Sequence, residues 1–275
     1  MQKKIRAGRA LLYIILVFWA VFMIMPFAWM LLTSVKTQPE AMKVPIVWLP
    51  KNPQWKNYVD VLQKYRFASY YKNTAFVTVT TVVFQLMTCS MGAYAFARLD
   101  FPGKNAIFLV CMTVLMVPTQ MIIIPRFIMT MRLGWLNSFA GIIIPNLPSI
   151  YGVFFLRQNF MTLPRELDEA AMIDGCSFFG IYWRILLPLL KNGLIAFGVL
   201  TTLWSWNEML WPLIVTSKQS LYVLSITLAN MQGQYAQKIP TQMAAGVLAM
   251  APMLLVFLIG QKQMLEGIAL SSIKA

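Results

Sequence analysis

The stretch RELDEAAMIDGCSFFGIYWRILLP, residues 165–188, turns an otherwise charge-poor chain briefly acidic, and its reading decides the architecture. Four of the chain's nine acidic residues, Glu166, Asp168, Glu169 and Asp174, fall within nine positions of it. Pro164, just upstream, suits the first turn of a helix, where its missing N–H is not needed. The three acids that follow lie where the helix dipole favours negative charge. Gly175 predicts the stop, because it adopts the left-handed conformation past a helix end without strain. Ser177 predicts the cap of the next helix. Phe178–Leu187 reads as an amphipathic or membrane-returning segment that Pro188 ends. Ala170 and Ala171 leave one face smooth enough for another protein surface to approach. A helix-turn-helix over 162–188 follows. On residue chemistry alone, a solvated linker with helix-friendly acids remains open.

On either side of this stretch the chain is apolar. Residues of the AVILMFWYC set make up 59% of it, charged residues 12%, and histidine is absent. That balance excludes an ordinary soluble domain of this length. No charge falls between Arg9 and Lys36, Lys72 and Arg98, Lys104 and Arg126, Arg132 and Arg157, or Lys238 and Lys262. A sixth gap, Lys191 to Lys218, holds only Glu208. A bilayer core about 30 Å thick needs roughly 20 apolar helical residues, and each gap is long enough. Backbone groups in lipid must be satisfied internally, which selects helices. The expected fold is all-α: a single polytopic membrane domain, 1–275, with spans at about 10–34, 73–97, 105–125, 137–157, 192–216 and 240–261. The polar helix-turn-helix then lies between spans four and five.

Pro26, Pro118, Pro125, Pro145, Pro148, Pro212 and Pro252 sit within or beside these spans. Neighbouring helices and local water repair a broken ladder in a bundle, so these residues read as kinks, or as helix breaks beside a substrate path. The first apolar run, Ala10–Leu32, is too long for a signal-peptide core and has no small-residue cleavage site, so it reads as an uncleaved span. Lys3, Lys4, Arg6 and Arg9 put the N-terminus in the cytoplasm, and six spans return the C-terminus to the same side. Arg126 and Arg132 are then assigned to a short outer loop. The outer segment Lys36–Lys72 opposes this bias with seven basic residues, but it is long and rich in Pro, Trp and Tyr.

The net charge of +14 is spread over both faces with no basic stripe, so topology and anionic lipid account for it and nucleic acid does not. Cys89 and Cys111 read as small buried hydrophobes and Cys176 as a loop residue. Nothing suggests a disulfide or metal site, and the 20 Met residues read as adaptable packing.

Within the acidic stretch, Glu169-Ala170-Ala171, three residues, Gly175, nine residues, Ile185, one residue and Leu187-Pro188 resemble the EAA loop of ABC-importer permeases. The span pattern, Trp206-Asn207-Glu208, Trp211-Pro212-Leu213 and the Gln261–Ile268 tail are similar to carbohydrate permeases of the maltose-transporter branch. The continuation Ile268-Ala269-Leu270-Ser271-Ser272 departs from that branch's Thr-Ala-Gly-like run. The resemblance implies an importer subunit in the bacterial or archaeal inner membrane. It also implies a coupling helix docked in an ATPase groove, so that Glu169, Ala170, Ala171, Asp174, Gly175, Ile185, Leu187 and Pro188 are expected at that dock. The implied partners are a second, different permease chain, two ATPase subunits and an extracytoplasmic binding protein that delivers a sugar.

No G-x-x-x-x-G-K-[ST] phosphate loop occurs, so ATP and Mg are expected in a partner, with no cofactor, metal or catalytic residue in this chain. Substrate-path candidates are Asn207 and Glu208, flanked by Trp204, Trp206 and Trp211, because an intramembrane acid faces a bundle interior or a wet cavity. The same cluster also reads as an outer-interface aromatic belt. Gln85 and Asn146 are further pore candidates, or interhelical hydrogen-bonding residues. Spans without Arg or Lys favour a neutral sugar over glycerol phosphate, with another polar solute as an alternative. A membrane-embedded enzyme is the remote alternative.

Overall fold

The computed structural model describes residues 2–234 and 238–272, with side chains described over 12–231 and 238–265. The side chains of Lys3, Lys4, Arg6 and Arg9, and those of the Ile268–Ser272 tail, lie outside the described residues. In chain order the helices are α1 (Gln2–Ser34), α2 (Gln38–Met42), α3 (Lys56–Lys64), α4 (Phe67–Arg98) and α5 (Lys104–Thr113). They continue as α6 (Ile123–Arg132), α7 (Phe139–Ile143), α8 (Ile150–Thr162), α9 (Glu166–Ile173) and α10 (Phe178–Gly180). The last five are α11 (Leu187–Leu189), α12 (Lys191–Asn207), α13 (Leu210–Val215), α14 (Leu224–Gln234) and α15 (Ile239–Ser272). No strand occurs among the described residues. The protein is an all-α polytopic membrane protein.

Three helical stretches are long and apolar enough to cross a membrane unaided: Leu12–Ser34, Phe67–Arg98 and Ile239–Leu265. Three more are bent pairs. Lys104–Met116 meets Thr119–Arg132 at 97°, Phe139–Asn146 meets Ile150–Thr162 at 43°, and Phe178–Leu189 meets Lys191–Asn207 at 78°. Several details depart from the sequence reading. The third apolar run turns through a right angle at Val117-Pro118, where the backbone becomes extended, instead of running straight over 105–125. Arg126 and Arg132 therefore fall inside α6 and not in an outer loop. Pro164 stands just before the cap residue Arg165, outside the first turn of α9. Pro188 does not end its helix either. A π turn over Ile181–Leu186 widens the helix ahead of it, which accommodates the lost N–H, and the break comes at Leu190.

The chain divides into two compact units. The first comprises 1–68 and 227–251. In it the C-terminal end of α1 is tied down by polar bonds. Asn57 Nδ2 donates to the carbonyls of Ser34 (2.9 Å) and Lys36 (3.0 Å), and Ser34 and Tyr58 share a hydroxyl hydrogen bond of 2.7 Å. The Lys36 ammonium lies 3.9 Å above the Trp29 ring. A capping box of Thr37 and Glu40 starts α2, and the Thr37 N–H holds the Glu40 carboxyl below its usual range.

The second unit, 69–226 with 252–275, holds the larger core. Ala93, Tyr94 and Ala97 of α4 meet Phe155, Leu156 and Phe160 of α8, then Ile181, Tyr182 and Leu186 of the π turn and Ala196 and Phe197 of α12. Lipid tails are as apolar as leucine, so close packing rather than water exclusion holds such helices together. Gly152 on α8 marks a tight approach, because a Cβ there would overlap the Phe197 ring and stand 2.9 Å from Cys89 Sγ. Gly152→Ala is expected to destabilise the protein by about 1–3 kcal/mol, as overpacking of a filled core does. Gly198→Ala, whose new Cβ would meet only Leu86 Cδ1 at 3.7 Å, serves as the tolerated control. Thermal unfolding in detergent distinguishes the two, and equal melting temperatures would refute the assignment.

Candidate functional site

Helix α9 carries three acids in its first turn, Glu166, Asp168 and Glu169. It ends in a Schellman motif. Gly175, at φ +79°, donates its N–H to Met172 O (3.0 Å), and Cys176 N–H reaches back to Ala171 O (2.9 Å). Ser177 Oγ then accepts from Gly180 N at 3.2 Å and opens the next helix. Glu169, Ala170, Asp174, Gly175 and Pro188 are exposed. So are Met172 (46%), Ile173 (87%), Phe178 (59%) and Phe179 (64%), which the sequence reading did not single out. The other expected docking residues face inward. Ala171 is buried in the core, and Ile185 and Leu187 pack against it. The small side chain of Ala171 therefore lets α9 approach its own bundle, not an outside surface.

Below this face runs an ion pair that sequence reasoning missed. Arg98, the last residue of α4, meets Asp168 of α9 with Nη1–Oδ2 of 3.2 Å, and the two side chains are only 5% and 14% exposed. Arg98 Nη2 also donates to Leu163 O at 2.8 Å. Neither carboxylate oxygen of Asp168 gains a hydrogen bond, so burial pushes its carboxyl above the usual range while Arg98 and Arg165 pull it down. Tyr94 O–H donates to Phe178 O at 3.0 Å, giving α4 a second hold on the same loop. In the sequence, Arg98 is one more charge at a span end, and nothing there pairs it with position 168.

A second polar cluster gathers four of the substrate-path candidates, Gln85, Asn146, Glu208 and Trp211. Gln85 stands three residues past the middle of α4, and its Nε2 donates to Asn146 O at 2.6 Å. Arg126 Nη2 donates to Asn146 Oδ1 at 2.6 Å, and its guanidinium lies 3.9 Å over the Trp211 ring. Trp211 Nε1 donates to Gly141 O at 3.0 Å, while its backbone N–H donates to Glu208 Oε1 at 3.0 Å. Glu208 sits at a helix break, where the chain turns extended between α12 and α13, and it acts on Arg126 through space. Arg126 Nε is buried without a hydrogen-bond partner. The cluster thus contains a cation, which overturns the expectation of spans free of Arg and Lys. Trp211 is buried and its face is taken by the guanidinium, so it supports the cluster and offers no open platform for a sugar ring. Trp204 lies outside the cluster, 76% exposed and stacked on Tyr151, and Asn207 bonds back to Leu203 O. The one hint of Arg126 in the sequence is its position after two prolines, Pro118 and Pro125, either of which can turn a span back on itself.

The profile of the family described as "Binding-protein-dependent transport system inner membrane component" matches residues 87–266, which include both clusters apart from Gln85. This chain belongs to that family. It is a transporter permease subunit, multi-pass in the membrane. It is 33% identical over 252 residues to an arabinooligosaccharides transport system permease protein of Bacillus subtilis, covering 90% of each chain. It is 30% identical over 260 residues to the protein of that name from Halalkalibacterium halodurans, covering 94% of this chain and 93% of the other. A diacetylchitobiose uptake system permease protein of Streptomyces coelicolor is 28% identical over 268 residues, 96% of this chain and 88% of that one. Among solved structures, a bacterial ABC transporter involved in the import of the acidic polysaccharide alginate shares the fold. Its TM-score is 0.83 at 23% identity, with 94% of this chain and 96% of that chain covered.

The Arg98–Asp168 pair generates a pH-dependent prediction. A carboxyl raised by folding contributes stability at low pH and loses it as pH rises through the raised value. Arg98→Leu removes the nearest lowering charge, so Asp168 rises further and the variant's deficit widens with pH. It should reach about 3–5 kcal/mol once the carboxylate is charged, unpaired and buried. Melting temperatures of wild type and variant compared between about pH 5 and about pH 8 test this. A deficit that stays constant or shrinks with pH would sink it.

Proposed function

We propose that this chain forms one half of the translocation path of an ATP-driven carbohydrate importer, with α9 and the turn after it as the coupling element. The observation that carries this reading is the exposed face of Glu169, Met172, Ile173, Asp174, Phe178 and Phe179 beside the Gly175 turn, set on a permease of a binding-protein-dependent family. An apolar patch rimmed by acids fits a groove on another subunit. The relatives named for arabinooligosaccharides and diacetylchitobiose support a sugar or oligosaccharide as cargo. An extracytoplasmic binding protein delivers it, a second permease chain completes the path, and two ATPase subunits supply ATP and Mg outside this chain. The termini lie on the cytoplasmic side. Closure of the ATPase pair biases the inward- and outward-facing states by binding them differently, which is all a partner can do to such an equilibrium.

The cluster around Arg126 contributes to the path. Gln85 and Asn146 present amide groups and Arg126 presents donors, as a polyhydroxylated solute requires. The charge of Arg126 is offset by Glu208, which favours a neutral sugar over glycerol phosphate.

Three measurements test the proposal in reconstituted complex. Ile173→Cys should cross-link to the ATPase subunit, whereas a cysteine at buried Ala171 should not. Gly175→Val forces a β-branched residue into the left-handed region, a strain of roughly 1–2 kcal/mol, and should lower uptake about ten-fold or more. Unimpaired uptake by that variant counts against the coupling role. Arg126→Gln should raise the KM for uptake while leaving basal ATP hydrolysis intact, and an unchanged KM removes the cluster from the path.

A further inference from the structure

Between the C-terminal ends of α4 and α8 and the start of α5 lies a cavity of about 360 Å³. Four cations line it, Arg98, Lys104, Arg157 and Arg165, against a single acid, Asp100. Two of the four are already committed. Arg98 holds Asp168, and Lys104 Nζ bonds Leu99 O at 2.6 Å and Asp100 Oδ1 at 3.2 Å. Arg157 and Arg165 form no ion pair among the described residues. Arg157 is nevertheless fixed, because its Nε donates to Phe96 O at 3.2 Å and its guanidinium lies 4.2 Å over the Phe108 ring. Its remaining N–H groups are left for another acceptor. Two surplus cations at one concave site attract an anion with several acceptor oxygens.

The surroundings indicate where that anion comes from. The cavity lies at the level where three apolar helices end. Just beyond it, α5 turns an apolar face outward, with Ile107 49% exposed and Leu109 and Val110 each 67% exposed. A phosphate-bearing headgroup entering this cavity would lay its acyl chains along that face. We propose that the cavity binds the phosphate of an anionic membrane lipid, with Arg157 and Arg165 as its principal ligands. Because Arg98 and Leu163 also line it, an occupied site would brace the junction of α4 with the loop that leads into α9.

The test uses the detergent-solubilised importer complex, native mass spectrometry, and an equimolar mixture of phosphatidylglycerol and phosphatidylcholine with matched acyl chains. Wild type should retain phosphatidylglycerol preferentially. Arg165→Gln should cut that preference about five-fold, and Arg157→Gln with Arg165→Gln about five-fold again, as expected for cations near a membrane surface. Arg165 is exposed, so its single variant keeps the fold and decides the matter even if the double variant fails to assemble. Lys43→Gln with Lys51→Gln, exposed cations far along the chain, should leave the preference unchanged. An unaltered preference in Arg165→Gln overturns the proposal. So does complete displacement of the lipid by equimolar inorganic phosphate, which would make the ligand a free anion. Loss of the co-purifying ATPase from Arg165→Gln with the lipid preference intact would assign the patch to subunit docking instead.

Discussion

The anchoring of α9 from below is the constraint on which the rest of this architecture depends. A helix of eight residues is too short to be stable by itself in water, so its conformation is supplied by what it packs against. Ala171 seals it into the core of α4, α8 and α12, and Asp168 bonds it electrostatically to the end of α4. A buried ion pair adds little net stability over an apolar substitute, but it tolerates loss of one partner poorly. Its value here is geometric. A push on the outer face of α9 cannot be absorbed by the loop alone, because the loop, α4 and α8 share one set of contacts through Arg98, Leu163 and Tyr94.

The second polar cluster obeys the same rule deeper in the bundle. Each amide and ring N–H described there finds a carbonyl or a side-chain acceptor, and at the helix break after Asn207 the Glu208 carboxylate accepts the Trp211 N–H. Irregular backbone at membrane depth survives where protein or a wet cavity surrounds it. The breaks and the polar side chains are therefore one feature. A straight span three would have carried Arg126 away from Asn146, and an unbroken span five would have left no N-terminus for Glu208 to cap.

Much of this could be read from the chain. Charge gaps marked the apolar runs, and Gly175 and Ser177 announced the end of α9 and the start of α10, because both signals are local and chemical. What could not be read depended on direction. The spacing of Glu169-Ala170-Ala171 says that these residues occupy successive helical positions, but not which one faces the bundle. Ala171 looked like part of an outward face until its partners on α8 and the π turn were known. Arg126 was misplaced for the same reason. A proline permits a bend without fixing its angle, and a right-angle turn at Pro118 returns a charge to the interior that a straight helix would carry out. Trp211 reads in the sequence as an open aromatic face and in the structure is buried under a guanidinium, two arrangements that look alike in sequence.

The distribution of cations then acquires a physical order. Arg126 lies within the bundle with its guanidinium over the Trp211 face, and the Glu208 carboxylate acts on it through space. Arg98 is neutralised at the bundle's end by Asp168. Beyond that end, Arg157 and Arg165 form no ion pair among the described residues. The cost of unpaired charge falls steeply from the apolar core to the headgroup level, where water and lipid phosphates supply what the protein does not. A chain that carries +14 can thus remain nearly neutral along its interior and place its surplus where the membrane surface balances it. On that view the basic cavity beside α9 belongs to the same electrostatic scheme that fixes the helices in the bilayer, and its lipid would stand one ion pair away from α9.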